Sequence, residues 1–95
     1  MRSYELMVIL RADLSEDDRA ALFDQIGKWI DNGEGEVAKI DHWGRRRLAY
    51  EIDGQRDGYY AVYDLNLPAS APADLERNLL IHEDVLRHLL TRQDE

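Results

Sequence analysis

The chain has no cysteine, only two prolines and a single phenylalanine among its 95 residues. Without thiols there can be no disulfide bridge, no thiol nucleophile and no thiolate ligand for zinc, and a reducing compartment fits that composition. Long apolar runs are also missing. The longest, Leu6 to Leu10, is far too short to span a bilayer, and charge already begins at Arg2, so neither a membrane segment nor a secretory leader is expected. The protein is expected to be soluble and cytoplasmic. Positive charge is scarce as well: 12 Lys and Arg stand against 20 Asp and Glu, a net charge of −8. Such a balance counts at first against nucleic acid, which attracts cations. What the chain does have is a 44% hydrophobic content, enough for one packed core at this length and too little for two, so residues 1–95 are expected to form a single domain.

The negative charge is unevenly spread. Between Asp13 and Glu36 eight acids face only Arg19 and Lys28, whereas between Val37 and Ile52 the bases Lys39, Arg45, Arg46 and Arg47 outnumber Asp41 and Glu51. A partner could therefore meet a basic side of an acidic protein.

Apolar periodicity divides the chain into six elements. Arg2 to Arg11 alternates, with Tyr4, Leu6, Val8 and Leu10 on one side and a partly apolar second side, which predicts a central strand. Ser15 is the expected N-cap of a helix, with Glu16, Asp17 and Asp18 at the positive end of its dipole. Leu22, Ile26, Trp29 and Ile30, with Phe23 beside them, supply its apolar stripe, and Asn32-Gly33 is expected to end it through a left-handed residue. Glu36 to Ile52 is predicted as a long, interrupted strand, Asp53 to Gly58 as a hairpin loop, and Tyr59 to Leu67 as the third strand. Pro68 stops that strand. Pro72 suits the first turn of a second helix, capped by Ser70 or Ala71, with Leu75 and Leu79 on its buried side. Glu83-Asp84 make a turn into a last strand, Val85 to Thr91, and Arg92 to Glu95 is expected to be a frayed tail.

Two helices with one apolar stripe each must cover one face of a four-stranded sheet. The right-handed crossover rule makes the α+β split βαβ arrangement, the ferredoxin-like βαββαβ sandwich with an antiparallel sheet, the natural solution. The other sheet face is left without helices. Glu5, Met7, Ile9, Tyr60 and Val62 are expected there, more apolar than a solvated face needs, which points to a binding partner.

No catalytic constellation is visible. Ser3, Ser15 and Ser70 lack a nucleophile-elbow context, and His42, His82 and His88 have no metal-ligand spacing. Small acyl-phosphate hydrolases on this fold hold phosphate in a glycine-rich loop after the first strand. Here that loop is Arg11-Ala12-Asp13-Leu14, with an acid and no glycine. Neither enzymatic activity nor a cofactor, metal ion or small-molecule substrate is expected.

The run Trp43-Gly44-Arg45-Arg46-Arg47-Leu48-Ala49-Tyr50-Glu51-Ile52 is the most distinctive stretch. On a strand, Arg46, Leu48, Tyr50 and Ile52 share one face and Arg45, Arg47, Ala49 and Glu51 the other, with a bend or bulge at Gly44. Adjacent arginines on a strand either guard a sheet edge against self-pairing or bind phosphate and carboxylate. Together with Tyr4-Glu5, the Gly58-Tyr59-Tyr60 opening, the Leu67-Pro68 stop and Val85-Leu86-Arg87, this run resembles the family of the sixth protein of the bacterial small ribosomal subunit. The likeness extends from Met1 to Arg92. It implies a structural constituent of the small subunit that binds the central domain of 16S rRNA as a heterodimer with the subunit's eighteenth protein. Leu80 and His82 depart from the basic residues the family often carries near the end of the second helix.

On this reading Arg2, Arg45, Arg87 and Arg92 are the candidate RNA-binding residues, with Arg2, Arg87 and Arg92 expected to meet because the first and last strands are neighbours. Arg46, Arg47, Leu48, Tyr50 and Tyr60 are the candidate partner-binding residues. Tyr60 is assigned to partner packing rather than base stacking, because Tyr60-Ala61-Val62-Tyr63-Asp64 lacks basic flanks. Trp43 is expected to pack at the strand bend. The alternative is a ferredoxin-like interaction module that self-associates without RNA. A small-ligand sensor or hydrolase on the same fold is a third possibility.

Overall fold

The computed structural model describes residues 1–93. Its elements follow the expected order: β1 (Arg2–Arg11), α1 (Glu16–Asn32), β2 (Glu36–Ile52), β3 (Gln55–Leu67), α2 (Ala71–Ile81) and β4 (Val85–Arg92). The strands form one antiparallel sheet in the order β2-β3-β1-β4, which leaves β2 and β4 at the edges. This is the ferredoxin-like arrangement. Among the described residues no helix is long and apolar enough to cross a membrane.

Both helices pack on the same sheet face. Leu6, Val8 and Leu10 of β1 and Ala61, Tyr63, Leu65 and Leu67 of β3 meet Leu22, Ile26 and Ile30 of α1 and Ala71, Leu75 and Leu79 of α2 in one buried cluster. Each fully buried aliphatic side chain there stabilises the fold by roughly 1.5–3 kcal/mol. Trp29 and Phe23, expected in the stripe, lie at its margin and are only partly buried.

The ends of α1 show one expectation met and one displaced. The Ser15 hydroxyl accepts the Asp18 amide at 3.1 Å, the bond an N-cap requires. At the other end the left-handed residue is Glu34 (φ 61°), while Gly33 has an ordinary φ of −83°. The Glu34 amide donates to Asp31 and the Gly35 amide to Ile30, a Schellman closure. The glycine is needed one place later: a Cβ on Gly35 would lie 2.5 Å from Leu67 Cδ2 and 3.1 Å from the Asn66 carbonyl. At α2, Ser70 occupies the cap position but its side chain makes no capping bond.

The hairpin between β2 and β3 is tighter than expected. Ile52 pairs with Gln55, so the turn is only Asp53-Gly54, and both have positive φ (48° and 77°). That is the signature of a two-residue primed turn whose twist matches the flanking strands. Gln55 to Gly58, expected in the loop, belong to β3. At the C-terminus the ladder also runs further than expected. Arg92 pairs with Tyr4, and the Gln93 amide donates to the Ser3 carbonyl at 2.8 Å. The rest of the expected frayed tail, residues 94 and 95, lies outside the described residues.

Candidate nucleic-acid and partner interface

The helix-free face is built by a change of phase in β2. Asp41 lies opposite Val62 and Gly44 opposite Tyr60, with a register shift between His42 and Gly44. Gly44 itself has φ 80°, a left-handed geometry that suits glycine at a bulge. Before the bulge the odd-numbered Asp41 and Trp43 share this face; beyond it the even-numbered Arg46, Leu48 and Tyr50 do. The bulge expected at Gly44 therefore brings residues of both parities onto one surface.

Those residues form a stack. The Trp43 and Tyr60 rings lie 6.1 Å apart and nearly parallel at 12°, and the Arg46 guanidinium sits 5.2 Å from the centre of the Trp43 ring. The indole Nε1–H donates to an Asp41 carboxylate oxygen at 3.3 Å. Aromatic stacking and the cation over the ring hold three large side chains flat against the sheet while leaving them accessible. Trp43 was expected only to pack at the bend; its contribution to this surface was signalled by its place one residue before the bulge glycine.

Further along, the pairing of β2 with β3 shifts register between Arg47 and Ile52. Leu48 is only 8% exposed. It lies by Gly58 of β3 and Ile9 of β1, where an added Cβ on Gly58 would be 3.5 Å from Leu48 Cδ2 and 2.4 Å from Ile9 Cγ2. Tyr50 reaches as far as β4, where the Arg87 guanidinium lies 5.2 Å from its ring centre, and stays 58% exposed. Leu48 thus fastens the chain to its own sheet rather than standing free for a partner, as its expected role required. Tyr50, Trp43 and Leu89 are the exposed apolar side chains of this face.

The remaining arginines are distributed differently from the expected cluster. Arg2 pairs with Leu67 and Arg92 with Tyr4, so both lie at the same end of the sheet and on its helix side. Arg87 pairs with Ile9, toward the other end and on the helix-free face. Neighbouring strands bring Arg2 and Arg92 to one end of the sheet, whereas Arg87 lies five residues back along β4 and the two-residue period turns it to the other face. Arg45 points to the opposite side of β2 from Arg46, as its parity requires, and pairs with Asp57 at 3.2 Å. Arg47 lies opposite Asp57 and is exposed. All three consecutive arginines are on an edge strand, where charge opposes pairing with another copy. The end of α2 presents Leu80 and Ile81, 75% and 73% exposed, and no base.

The family model described as ribosomal protein S6 matches residues 3–92. The small ribosomal subunit protein bS6 of Thermoanaerobacter pseudethanolicus is 43% identical over 95 residues, covering all of both chains. That of Carboxydothermus hydrogenoformans is 40% identical over 95 residues, covering all of this chain and 99% of the other. Among solved structures, the crystal structure of 30S ribosomal protein S6 from Thermotoga maritima superimposes with a TM-score of 0.92 at 27% identity, over 97% of this chain and 87% of that one. The C-terminal domain of the MgtC protein from Mycobacterium tuberculosis, at 15% identity and a TM-score of 0.67, covers 100% of this chain and 90% of that one and shares the fold alone. With the family model spanning nearly the whole chain and relatives 43% and 40% identical along its full length, this chain belongs to the ribosomal protein S6 family.

Proposed function

We propose that this chain, as a small-subunit ribosomal protein, binds the central domain of 16S rRNA together with the eighteenth protein of the small subunit. The observation that carries the reading is the helix-free face, where Arg46, Trp43 and Tyr60 stack and Arg87 meets an exposed Tyr50. A surface of rigid aromatics and arginines has the composition of a protein–protein hot spot. The partner is placed there, with Arg46, Tyr50, Tyr60 and Arg87 as its contacts and Arg47 at the edge. Arg2 and Arg92, at one end of the sheet, are assigned to phosphate, and Arg45, on the opposite edge strand and toward the other end, is assigned as a separate and weaker phosphate contact because Asp57 already engages it.

The charge balance makes company necessary. With 20 acids against 12 bases, the chain alone has little to gain from counterion release, and a basic partner supplies most phosphate contacts. Titration onto a central-domain rRNA fragment, with and without the eighteenth protein, tests this. Weak binding alone and tight joint binding are expected, with this chain adding about two units to the slope of log affinity against log salt. Tight binding by this chain alone at physiological salt, or joint binding no tighter than the partner's own, would refute the reading. Self-association in place of joint binding would favour the interaction module.

A further inference from the structure

Away from the helix-free face, α1 and the edge strand β2 enclose a groove of about 650 Å³ whose floor includes Tyr63. Tyr63 rises from the middle of β3 and has no solvent-exposed surface, yet its hydroxyl has no hydrogen-bond partner. Burial raises the phenol's pKa, and the charge of Asp24, which lines the same groove, raises it further. A buried hydroxyl without a partner is uncommon and costly, and a group able to bond it from the groove would remove that cost.

The groove's walls indicate which group. Asp24, Asp31 and Glu36 line it against the single base Lys28. Neither Asp24 nor Asp31 has an ion pair among the described residues. Between the carboxylates the lining is apolar, with Val37 and an exposed Ile40. At the centre of the α1 wall is Gly27, where an added Cβ would meet nothing within 4 Å. A mid-helix glycine costs about 1 kcal/mol relative to alanine, and no contact inside the protein requires it here. The result is a smooth trough, apolar at the base and acidic at the rim, with Tyr63 in its lining and that residue's buried hydroxyl unbonded.

We infer that this α1–β2 groove docks an extended, arginine- or lysine-bearing polypeptide segment of a basic protein partner. The aliphatic stem of one basic side chain lies on Val37 and Ile40, and its charged head pairs with Asp24 while donating a hydrogen bond to the Tyr63 hydroxyl; a second basic side chain of the segment pairs with Asp31, two helical turns, or about 10 Å, along α1. Long basic side chains bury their stems along apolar surface and keep the head at polar groups, as this trough allows. The site is on the opposite side of the sheet from the stack of Arg46, Trp43 and Tyr60, so it can be filled while that face is engaged.

The test uses the full chain, isotopically labelled, titrated with a synthetic extended peptide of alternating arginine and valine. A control peptide carries norleucine in place of arginine. Amide shift changes confined to Gly27, Lys28, Ile40 and Tyr63 are expected, and the norleucine peptide should leave them unmoved. The double variant Asp24→Asn, Asp31→Asn, altered only on the surface of α1, should weaken binding by about tenfold. Tyr63→Phe should weaken it by about fivefold while its thermal midpoint is retained or raised. Shift changes elsewhere, equal response to the norleucine peptide, or unchanged affinity in either variant would overturn the inference. Since no RNA and no second ribosomal protein is present, this result is independent of the rRNA titration.

Discussion

An alanine at Gly58 would place a methyl carbon 2.4 Å from Ile9 Cγ2 and 3.1 Å from the Leu10 carbonyl, with Leu48 Cδ2 at 3.5 Å. The nearest of these atoms is a β-branched methyl on a residue only 6% exposed and the second is backbone of the central strand β1, so neither can swing aside. Forcing an extra methyl into such packing costs about 1–3 kcal/mol. Alanine recovers about 0.5–1 kcal/mol in strand propensity; with a 2.4 Å contact placing the site in the upper half of the overpacking range, the net destabilisation is about 1–2 kcal/mol. In urea, with a slope of about 1 kcal/mol/M for a domain of this size, the midpoint should fall by about 1–2 M at constant slope. The contact also predicts coupling. In an Ile9→Ala background, which removes the nearest clashing methyl and leaves only the 3.1 Å approach to the Leu10 carbonyl, the additional cost of Gly58→Ala should fall by more than half. An unchanged or higher midpoint for Gly58→Ala, or strict additivity in the double variant, would refute the reasoning that Gly58 is glycine so that Leu48 and Ile9 can close over it.

Tyr63→Phe removes a buried hydroxyl that has no partner and should stabilise the free protein by about 1 kcal/mol in the same urea assay. Because the folded phenol's pKa lies above its ordinary value of 10.0, Tyr63's contribution is intact below that pH and is lost as pH rises toward the raised pKa, so the original chain should lose stability relative to the phenylalanine variant above about pH 10. Ser15→Ala, which deletes the bond to the Asp18 amide, should cost about 1 kcal/mol, whereas Ser70→Ala, which deletes no capping bond, should stay within about 0.5 kcal/mol by calorimetry. Replacing Arg46 by Met and Arg47 by Val strips charge from the edge strand β2 without removing core volume. The variant should stay folded and self-associate in light scattering, and a monomeric variant with undiminished joint rRNA binding would deny both the guarding and the ligand role.

Much of the site was legible because it depends on parity. The period of two separates Arg46, Leu48 and Tyr50 from Arg45, and the structure places Arg46 over Trp43 and Arg45 against Asp57 accordingly. The same rule separates Arg87 from Arg92, five residues apart on one strand; expecting those two to meet with Arg2 considered which strands are neighbours without considering which way each residue faces. The tight turn at Asp53-Gly54 was hidden by the polar residues Gln55, Arg56 and Asp57, which resemble a loop but pair across a ribbon. Leu48's burial was not legible either, since an apolar residue at an alternating position looks the same whether it meets a partner or its own sheet.

Local composition by itself determined the order of the six elements, the cap at Ser15, the bulge at Gly44 and the absence of thiol chemistry, because each depends on residues within a few positions of one another. Tertiary structure alone decided that Leu48 closes over Ile9 and Gly58, that Tyr50 meets Arg87 two strands beyond β3, and that Tyr63's hydroxyl is buried and left unbonded. The left-handed residue falls at Glu34 rather than Gly33, and the close approach of Leu67 and the Asn66 carbonyl, which is a tertiary contact, reserves Gly35 for glycine. Such contacts join residues tens of positions apart, and their identity follows from strand order and register, which no short window of sequence contains.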